Sequence, residues 1–265
     1  MELNLVGKRV VVTASTEGIG KGIARALAKE GCKLVVSSRT EEKVRRTVEE
    51  LRKVNPSVWG TKFDVTNYED SERLFSFAKD VMGGVDAVVV NTGNPPSEPS
   101  YFEETSMEDW DYSVKLYLTG VVKLVKTFVP EMVKNGWGRM IFLSSWTVKE
   151  PQRIFSLADV SRAPLTQLAK ILAKTYAKYN ITFNVILMGS FETEGAKRTI
   201  KRLAEKEGKS FEELWKEVVL STIPSGRIGS PERDLAPLVA FLLSDKSWYV
   251  NGTSILIDGG LTDAV

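Results

Sequence analysis

Histidine is absent from all 265 residues. That gap removes histidine-based zinc sites, Ser-His-Asp triads and imidazole proton shuttles. Cysteine occurs once, at Cys32, so no disulfide can form within the chain, and a reducing, cytoplasmic setting is expected. Cys32 falls between a helix pattern and a strand pattern and reads as a small packing residue. No metal site is expected. No apolar run reaches the ~18 residues of a spanning helix, and the opening Met1-Glu2-Leu3-Asn4-Leu5 has no signal-peptide pattern. Neither charge sign dominates: 36 Lys and Arg against 34 Asp and Glu leave +2, giving no reason to expect nucleic acid or membrane as partner. Two glutamines stand among many Lys and Glu, a composition associated with heat-adapted proteins. The remainder, 43% hydrophobic and 26% charged, suits one globular domain over residues 1–265 with a large core.

Apolar runs alternate with helix-period segments along the chain. The pattern predicts strands at Arg9–Thr13, Lys33–Ser37, Val58–Phe63, Asp86–Asn91, Arg139–Ser144, Thr182–Leu187 and Ser254–Ile257. Several are unbroken Val/Ile/Leu, as in parallel strands buried on both faces. Helices are predicted over 18–30, 41–54, 68–82, 107–134, 156–178 and 231–243. Thr105-x-x-Glu108 reads as a capping box, and Ser230-Pro231 places an N-cap before a first-turn proline. The expected fold is α/β, a single-domain Rossmann-type doubly wound parallel sheet of about seven strands with helices on both faces. The stretch Gly189–Gly229 is too long for a simple connection. Within it Ser210-x-x-Glu213 opens a helical stripe of Phe211, Leu214, Trp215, Val218 and Val219. It reads either as an extra helix on the body or as a lid over a substrate pocket.

The segment Thr13-Ala14-Ser15-Thr16-Glu17-Gly18-Ile19-Gly20 follows Val10-Val11-Val12 and opens a helix pattern. Small residues there let backbone approach a pyrophosphate and let the helix N-terminus face its charge. Gly18 and Gly20 supply two of the three small positions and Ala14 the first.

This turn resembles that of the short-chain dehydrogenase/reductase family, Thr-Gly-x-x-x-Gly-Ile-Gly. Further matches fall in order. Asp64-Val65 stands where the family contacts adenine, and Asn91-Thr92-Gly93 replaces its Asn-Ala-Gly. Trp110 and Leu118-Thr119-Gly120 fit its fourth helix, and Ser144-Ser145 closes the fifth strand. Gly189 and Thr193 match Pro-Gly-x-x-x-Thr with Met188 in place of proline, and Asn251-Gly252 and Asp258-Gly259-Gly260 match the last strand. The resemblance spans about residues 5–262. It implies a dinucleotide held by Thr13, Ser15, Thr16, Gly18, Ile19, Gly20, Asp64, Val65, Asn91, Gly93, Gly189 and Thr193. It also implies a small-molecule substrate and a homo-oligomer, tetramer or dimer. The end of the second strand, Ser37-Ser38-Arg39-Thr40, carries no acid for a ribose 2′-hydroxyl but a guanidinium and two hydroxyls for a 2′-phosphate. Ser38, Arg39 and Thr40 therefore favour NADP over NAD, although Glu17 in the turn would repel a phosphate.

The resemblance places the family's catalytic serine at Ser145. Its Tyr-x-x-x-Lys falls on Ala158-Asp159-Val160-Ser161-Arg162, and its relay asparagine on Tyr117. This is the pattern of a divergent branch that lacks the Tyr/Lys pair. Alanine has no proton to give, and lost acid–base help is worth ~10²–10⁴-fold in rate. Arg162 can still hold the cofactor ribose, and Tyr117 is the candidate replacement donor. Three readings stay open: a carbonyl/alcohol oxidoreductase with a relocated acid, a non-catalytic NADP-binding sensor or assembly protein, and a reductase of activated double bonds.

Overall fold

The computed structural model of the protein describes residues 2–264. Seven strands form one sheet: β1 (Arg9–Val12), β2 (Lys33–Ser38), β3 (Val58–Lys62), β4 (Ala87–Val90), β5 (Gly138–Ser145), β6 (Ile181–Met188) and β7 (Ser254–Ile257). They are all parallel, in the order β3-β2-β1-β4-β5-β6-β7. Successive strand side chains point to opposite faces, so Val10 and Val12 enter one apolar cluster while Val11 enters the other. Both faces are covered by helices, which is why runs such as Val10-Val11-Val12 and Val88-Val89-Val90 stay apolar rather than alternating.

The helices are α1 (Gly18–Lys29), α2 (Glu41–Arg52), α3 (Tyr68–Met82), α4 (Met107–Val114) and α5 (Gly120–Asn135). They continue with α6 (Ser156–Arg162), α7 (Leu165–Tyr176), α8 (Glu194–Glu207), α9 (Phe211–Leu214) and α10 (Ala236–Leu243). Leu27 of α1, Leu51 of α2 and Leu242 of α10 pack on one face of the sheet. Leu74 of α3, Phe128 of α5 and Leu165 of α7 pack on the other. The expected doubly wound, single-sheet fold is the one observed.

Three local expectations change. The helix predicted over 107–134 is α4, a π-helical stretch Lys115–Thr119, and α5. Its capping box lies one residue on: Ser106 Oγ accepts the Asp109 N–H while the Asp109 carboxylate accepts the Ser106 N–H. The helix begins at Met107, so Thr105 is left outside to donate to the Phe102 carbonyl. The helix predicted over 156–178 breaks before α7, where Pro164 lacks an N–H. The Ser210/Glu213 box and the Ser230-Pro231 start form as expected.

The long segment after β6 holds α8, capped by Thr193 and not foreseen in the sequence, then α9 and a π-helical stretch Trp215–Leu220. These enclose a small core of their own: Ile200, Ala204, Leu214, Val219 and Ile223. Among the described residues no helix is long and apolar enough to cross a membrane, and no cluster of His, Cys, Asp and Glu could hold a metal.

Candidate active site

Strand order reverses between β1 and β4, and the crevice at the carboxyl ends of these strands is where open α/β sheets bind ligands. After β1 the backbone turns through Ala14 at φ +45° and Gly18 at φ +53°. Gly20 allows no side chain, because a Cβ would lie 2.4 Å from the Ala14 carbonyl oxygen and 2.8 Å from Asn91 Nδ2. The turn is tied to its neighbours. Thr13 Oγ1 donates to the Asn91 carbonyl (2.6 Å) and accepts the Asn91 N–H (2.9 Å), while Asn91 Nδ2 donates to the Ala14 carbonyl (3.0 Å). Ser15 Oγ donates to the Val12 carbonyl (2.6 Å) and accepts the Ser37 N–H (3.0 Å). Thr13 and Ser15 are buried and hold the turn's shape from inside; Thr16 is buried beside α2, its carbonyl 3.5 Å from the Thr47 hydroxyl. No side chain caps α1, which leaves the first-turn N–H groups around Gly18, Ile19 and Gly20 open to an anion.

The other residues expected at the nucleotide stand near the same edge. Arg39 is exposed and donates to the Tyr112 hydroxyl (3.2 Å), and among the described residues no carboxylate lies within ion-pair distance of it. Ser38 Oγ accepts the Thr40 N–H at 3.3 Å. The repulsion expected from Glu17 is offset by Lys43 at 2.9 Å and by Arg198 of α8 at 4.0 Å. Asp64 Oδ1 accepts the Thr66 N–H (2.9 Å) and hydroxyl (2.8 Å), beside the buried Val65. Gly189 N–H donates to the Ile257 carbonyl at 2.9 Å. Thr193 stands against Gly18, 3.4 Å from where a Cβ there would lie, so the root of the α8 segment meets the turn.

Ser145, the expected catalytic serine, lies at the end of β5. Ser145 Oγ accepts the Thr147 N–H at 3.3 Å and touches Thr147 Oγ1 at 2.9 Å. Thr147 Oγ1 in turn donates to Asp159 Oδ1, whose carboxylate also accepts the Gln152 N–H (2.9 Å) and pairs with Arg162 Nη2 (3.1 Å). Arg162 Nε is buried with no partner among the described residues, and the guanidinium stands 5.3 Å from the Tyr117 ring centroid. Tyr117 sits in the π-helical stretch, buried, its hydroxyl donating to the Gly93 carbonyl at 3.0 Å. Burial pushes its phenol well above the usual range, with Arg162 opposing. The candidate donor of the sequence reading therefore has its hydrogen committed to backbone.

Ala158 is fully buried and its N–H donates to Glu98 Oε1 at 2.7 Å. Glu98 is only 7% exposed, and burial raises its carboxyl to about 7 against the pull of the Ala158 N–H and of Arg162. It also lines a cavity of about 120 Å³ between Ser100, Ile154 and Leu203 of α8, which does not reach Ser145. Glu98, Thr147 and Asp159 went unremarked in the sequence. Asp159 carried a signal, its i,i+3 spacing to Arg162. Glu98 carried none, lying among Pro95, Pro96 and Pro99 in a loop whose path depends on the rest of the fold.

Comparison with known proteins agrees with this geometry. The family described as enoyl-(acyl carrier protein) reductase matches residues 13–262. Human dehydrogenase/reductase SDR family member 4 is 36% identical over 256 residues, covering 97% of this chain and 88% of that protein. The 3-oxoacyl-(acyl-carrier-protein) reductase FabG of Aquifex aeolicus is 30% identical over 98% of this chain and 100% of its own length. The L-sorbose reductase of Gluconobacter frateurii, solved with NADPH and L-sorbose, superposes over all of both chains with a TM-score of 0.93 at 28% identity. A nucleotide turn at the β1/β4 reversal, a serine closing β5 and matches along the whole length together place this chain in the short-chain dehydrogenase/reductase family of oxidoreductases.

Proposed function

We propose that the protein is an NADP(H)-dependent oxidoreductase interconverting a carbonyl and an alcohol on a small molecule, through a site that lacks the usual Tyr and Lys. The observation that carries this reading is Arg39, a guanidinium at the end of β2 with no carboxylate partner among the described residues. It suits a 2′-phosphate, which an acid at this edge would repel. The structural likeness to a reductase solved with NADPH supports the same cofactor. The open first turn of α1 would hold the pyrophosphate, Asp64 and Val65 the adenine side, and Asn91, Gly93, Arg162, Gly189 and Thr193 the nicotinamide side. When bound, the cofactor supplies or accepts the hydride. Ser145 then meets the substrate oxygen, and the segment of α8 and α9 closes the pocket.

Titration of wild type and Arg39→Ala with NADPH and NADH, followed by Trp-to-nicotinamide energy transfer, tests the reading. Losing a charge-assisted contact weakens NADPH by about 10- to 100-fold while NADH is unchanged. Failure of wild type to bind either nucleotide ends the proposal.

Two alternatives have an observation each. The matched family description favours reduction of a conjugated double bond, and the buried Ala158 at the vacated tyrosine position favours a nucleotide sensor. NADPH consumption with a crotonyl thioester but not L-sorbose selects the first; tight NADPH binding with neither consumed selects the second. The exposed Val160 and Ile171 on α6 and α7 support a homo-oligomer, dimer or tetramer, and the free, buried Cys32 supports a cytoplasmic setting.

A further inference from the structure

The oxidoreductase reading leaves one task to the chain itself: moving the proton of the substrate oxygen. Three oxygens form a chain from Ser145 into the protein, Ser145 Oγ to Thr147 Oγ1 at 2.9 Å and Thr147 Oγ1 to Asp159 Oδ1 by a hydrogen bond. A threonine hydroxyl has one proton to serve two contacts. The Asp159 carboxylate is paired with Arg162 at 3.1 Å and can only accept, so Thr147 gives its proton to Asp159. Ser145 must then give its own proton to Thr147. The Thr147 N–H at 3.3 Å fills one acceptor position on Ser145 Oγ and leaves the second free. That free position accepts a hydrogen from a substrate alcohol.

We infer that Ser145, Thr147 and Asp159 form a proton relay, ended by the Asp159 carboxylate, that takes the place of the missing tyrosine and lysine. Resting on the oxidoreductase reading, it accounts for the proton in alcohol oxidation. The carbinol C–H bond breaks and its electron pair leaves as hydride to the oxidised nicotinamide dinucleotide. The O–H proton passes to Ser145 Oγ, the serine proton to Thr147 Oγ1, and the threonine proton to Asp159 Oδ1. Carbonyl reduction runs the same three transfers in reverse, with a proton entering at Asp159 Oδ1. Ser145 touches substrate; Thr147 and Asp159 act through it and are positioning residues. Arg162, formally in the lysine's place, holds the end of the relay rather than a phenol. Its Nε, buried and without a partner among the described residues, shows that its hydrogen-bonding capacity is not exhausted by Asp159.

The geometry also separates the relay from its neighbours. The charged and titratable groups facing Asp159 are Arg162 on its own helix, Glu98 from the loop after β4, and Tyr117 from the π-helical stretch. Glu98 bonds to the Ala158 N–H and Tyr117 to the Gly93 carbonyl, so neither lies in the chain of oxygens.

The experiment uses the full chain with Thr147→Val, Thr147→Ser and Asp159→Asn. Proton NMR of the free protein reads the relay without cofactor or substrate: the Thr147 hydroxyl gives a downfield, slowly exchanging resonance that disappears in Thr147→Val and moves in Ser145→Ala. NADPH titration checks that each variant folds and binds, with Kd within about threefold of wild type. Reduction of L-sorbose and of 2,3-butanedione by NADPH is then followed from pH 5 to 9. Thr147→Val and Asp159→Asn lose about 100-fold in kcat with KM within a few-fold. Thr147→Ser, which keeps the hydroxyl, recovers to within about tenfold. Wild-type turnover and an unchanged profile in Thr147→Val would overturn the relay and leave the oxidoreductase reading standing. Absence of the downfield proton in wild type overturns the relay whatever the kinetics. A wild type that shows this proton and binds NADPH but reduces neither probe supports the relay geometry and counts against the oxidoreductase reading.

Discussion

Glu98→Gln isolates one titration in a chain that has no histidine to obscure it. Burial raises the Glu98 carboxyl from 4.5 to about 7, and among the described residues no other resolved shift brings a group between pH 5 and 8. The folded state therefore holds a proton that the unfolded chain releases near pH 4.5. The stabilisation is fully present below pH 4.5 and is lost as pH rises through about 7. A separation of about 2.5 pH units at 1.36 kcal/mol each is worth about 3 kcal/mol, most of it lost between pH 5 and 8. The substituted amide keeps an oxygen to accept the Ala158 N–H, so helix α6 retains its partner while the titration disappears. Urea denaturation of wild type and variant at half-unit steps from pH 5 to 8 gives the difference curve directly. Wild type falls relative to the variant by about 2.5 kcal/mol across that range, equivalent to roughly 5 °C or more in Tm for a chain of this size. Parallel curves would refute the reasoning: they would mean that Arg162 holds Glu98 ionised throughout and that burial does not dominate.

Other outcomes follow from the same geometry. Ala14→Gly relieves a left-handed alanine in the nucleotide turn and raises stability by about 1 kcal/mol in thermal denaturation, with NADPH affinity retained. Gly20→Ala does the reverse, since its Cβ meets the Ala14 carbonyl at 2.4 Å; the turn must move, and NADPH binding measured by energy transfer falls at least about tenfold. Tyr117→Phe removes the hydrogen bond to the carbonyl of the exposed Gly93 and costs about 0.5–1.5 kcal/mol of stability, while NADPH-dependent turnover stays within about threefold. A hundredfold drop in kcat for that variant would restore Tyr117 as proton donor.

Much of the turn after β1 is written locally. A strand of Val10-Val11-Val12 followed by Gly18 and Gly20 needs only neighbouring residues to become a turn at a helix start, because backbone sterics and exposed N–H groups are local properties. The alternation of strand and helix patterns predicted the doubly wound sheet for the same reason: a strand that is apolar at every position must be covered on both faces. The break at Pro164 was missed although its missing N–H was there to read, because the apolar periodicity runs on across it. The π-helical stretch at Lys115–Thr119 and helix α8 were not legible, because no side chain in them demands that geometry by itself.

The corner around Ser145 is different in kind. Sequence alone determined that the chain has no histidine, an alanine at 158 and an arginine at 162, and so which groups those positions can offer. Only the tertiary structure decided what stands there instead. Glu98 and Ala158 are 60 residues apart yet share a hydrogen bond, and Thr147 reaches Asp159 across 12 residues of intervening chain. Tyr117, a natural proton donor on paper, is committed to the Gly93 carbonyl from 24 residues away. Identity fixes what a side chain can donate or accept; burial and the partner brought to it by the fold decide which of those capacities is left for a substrate.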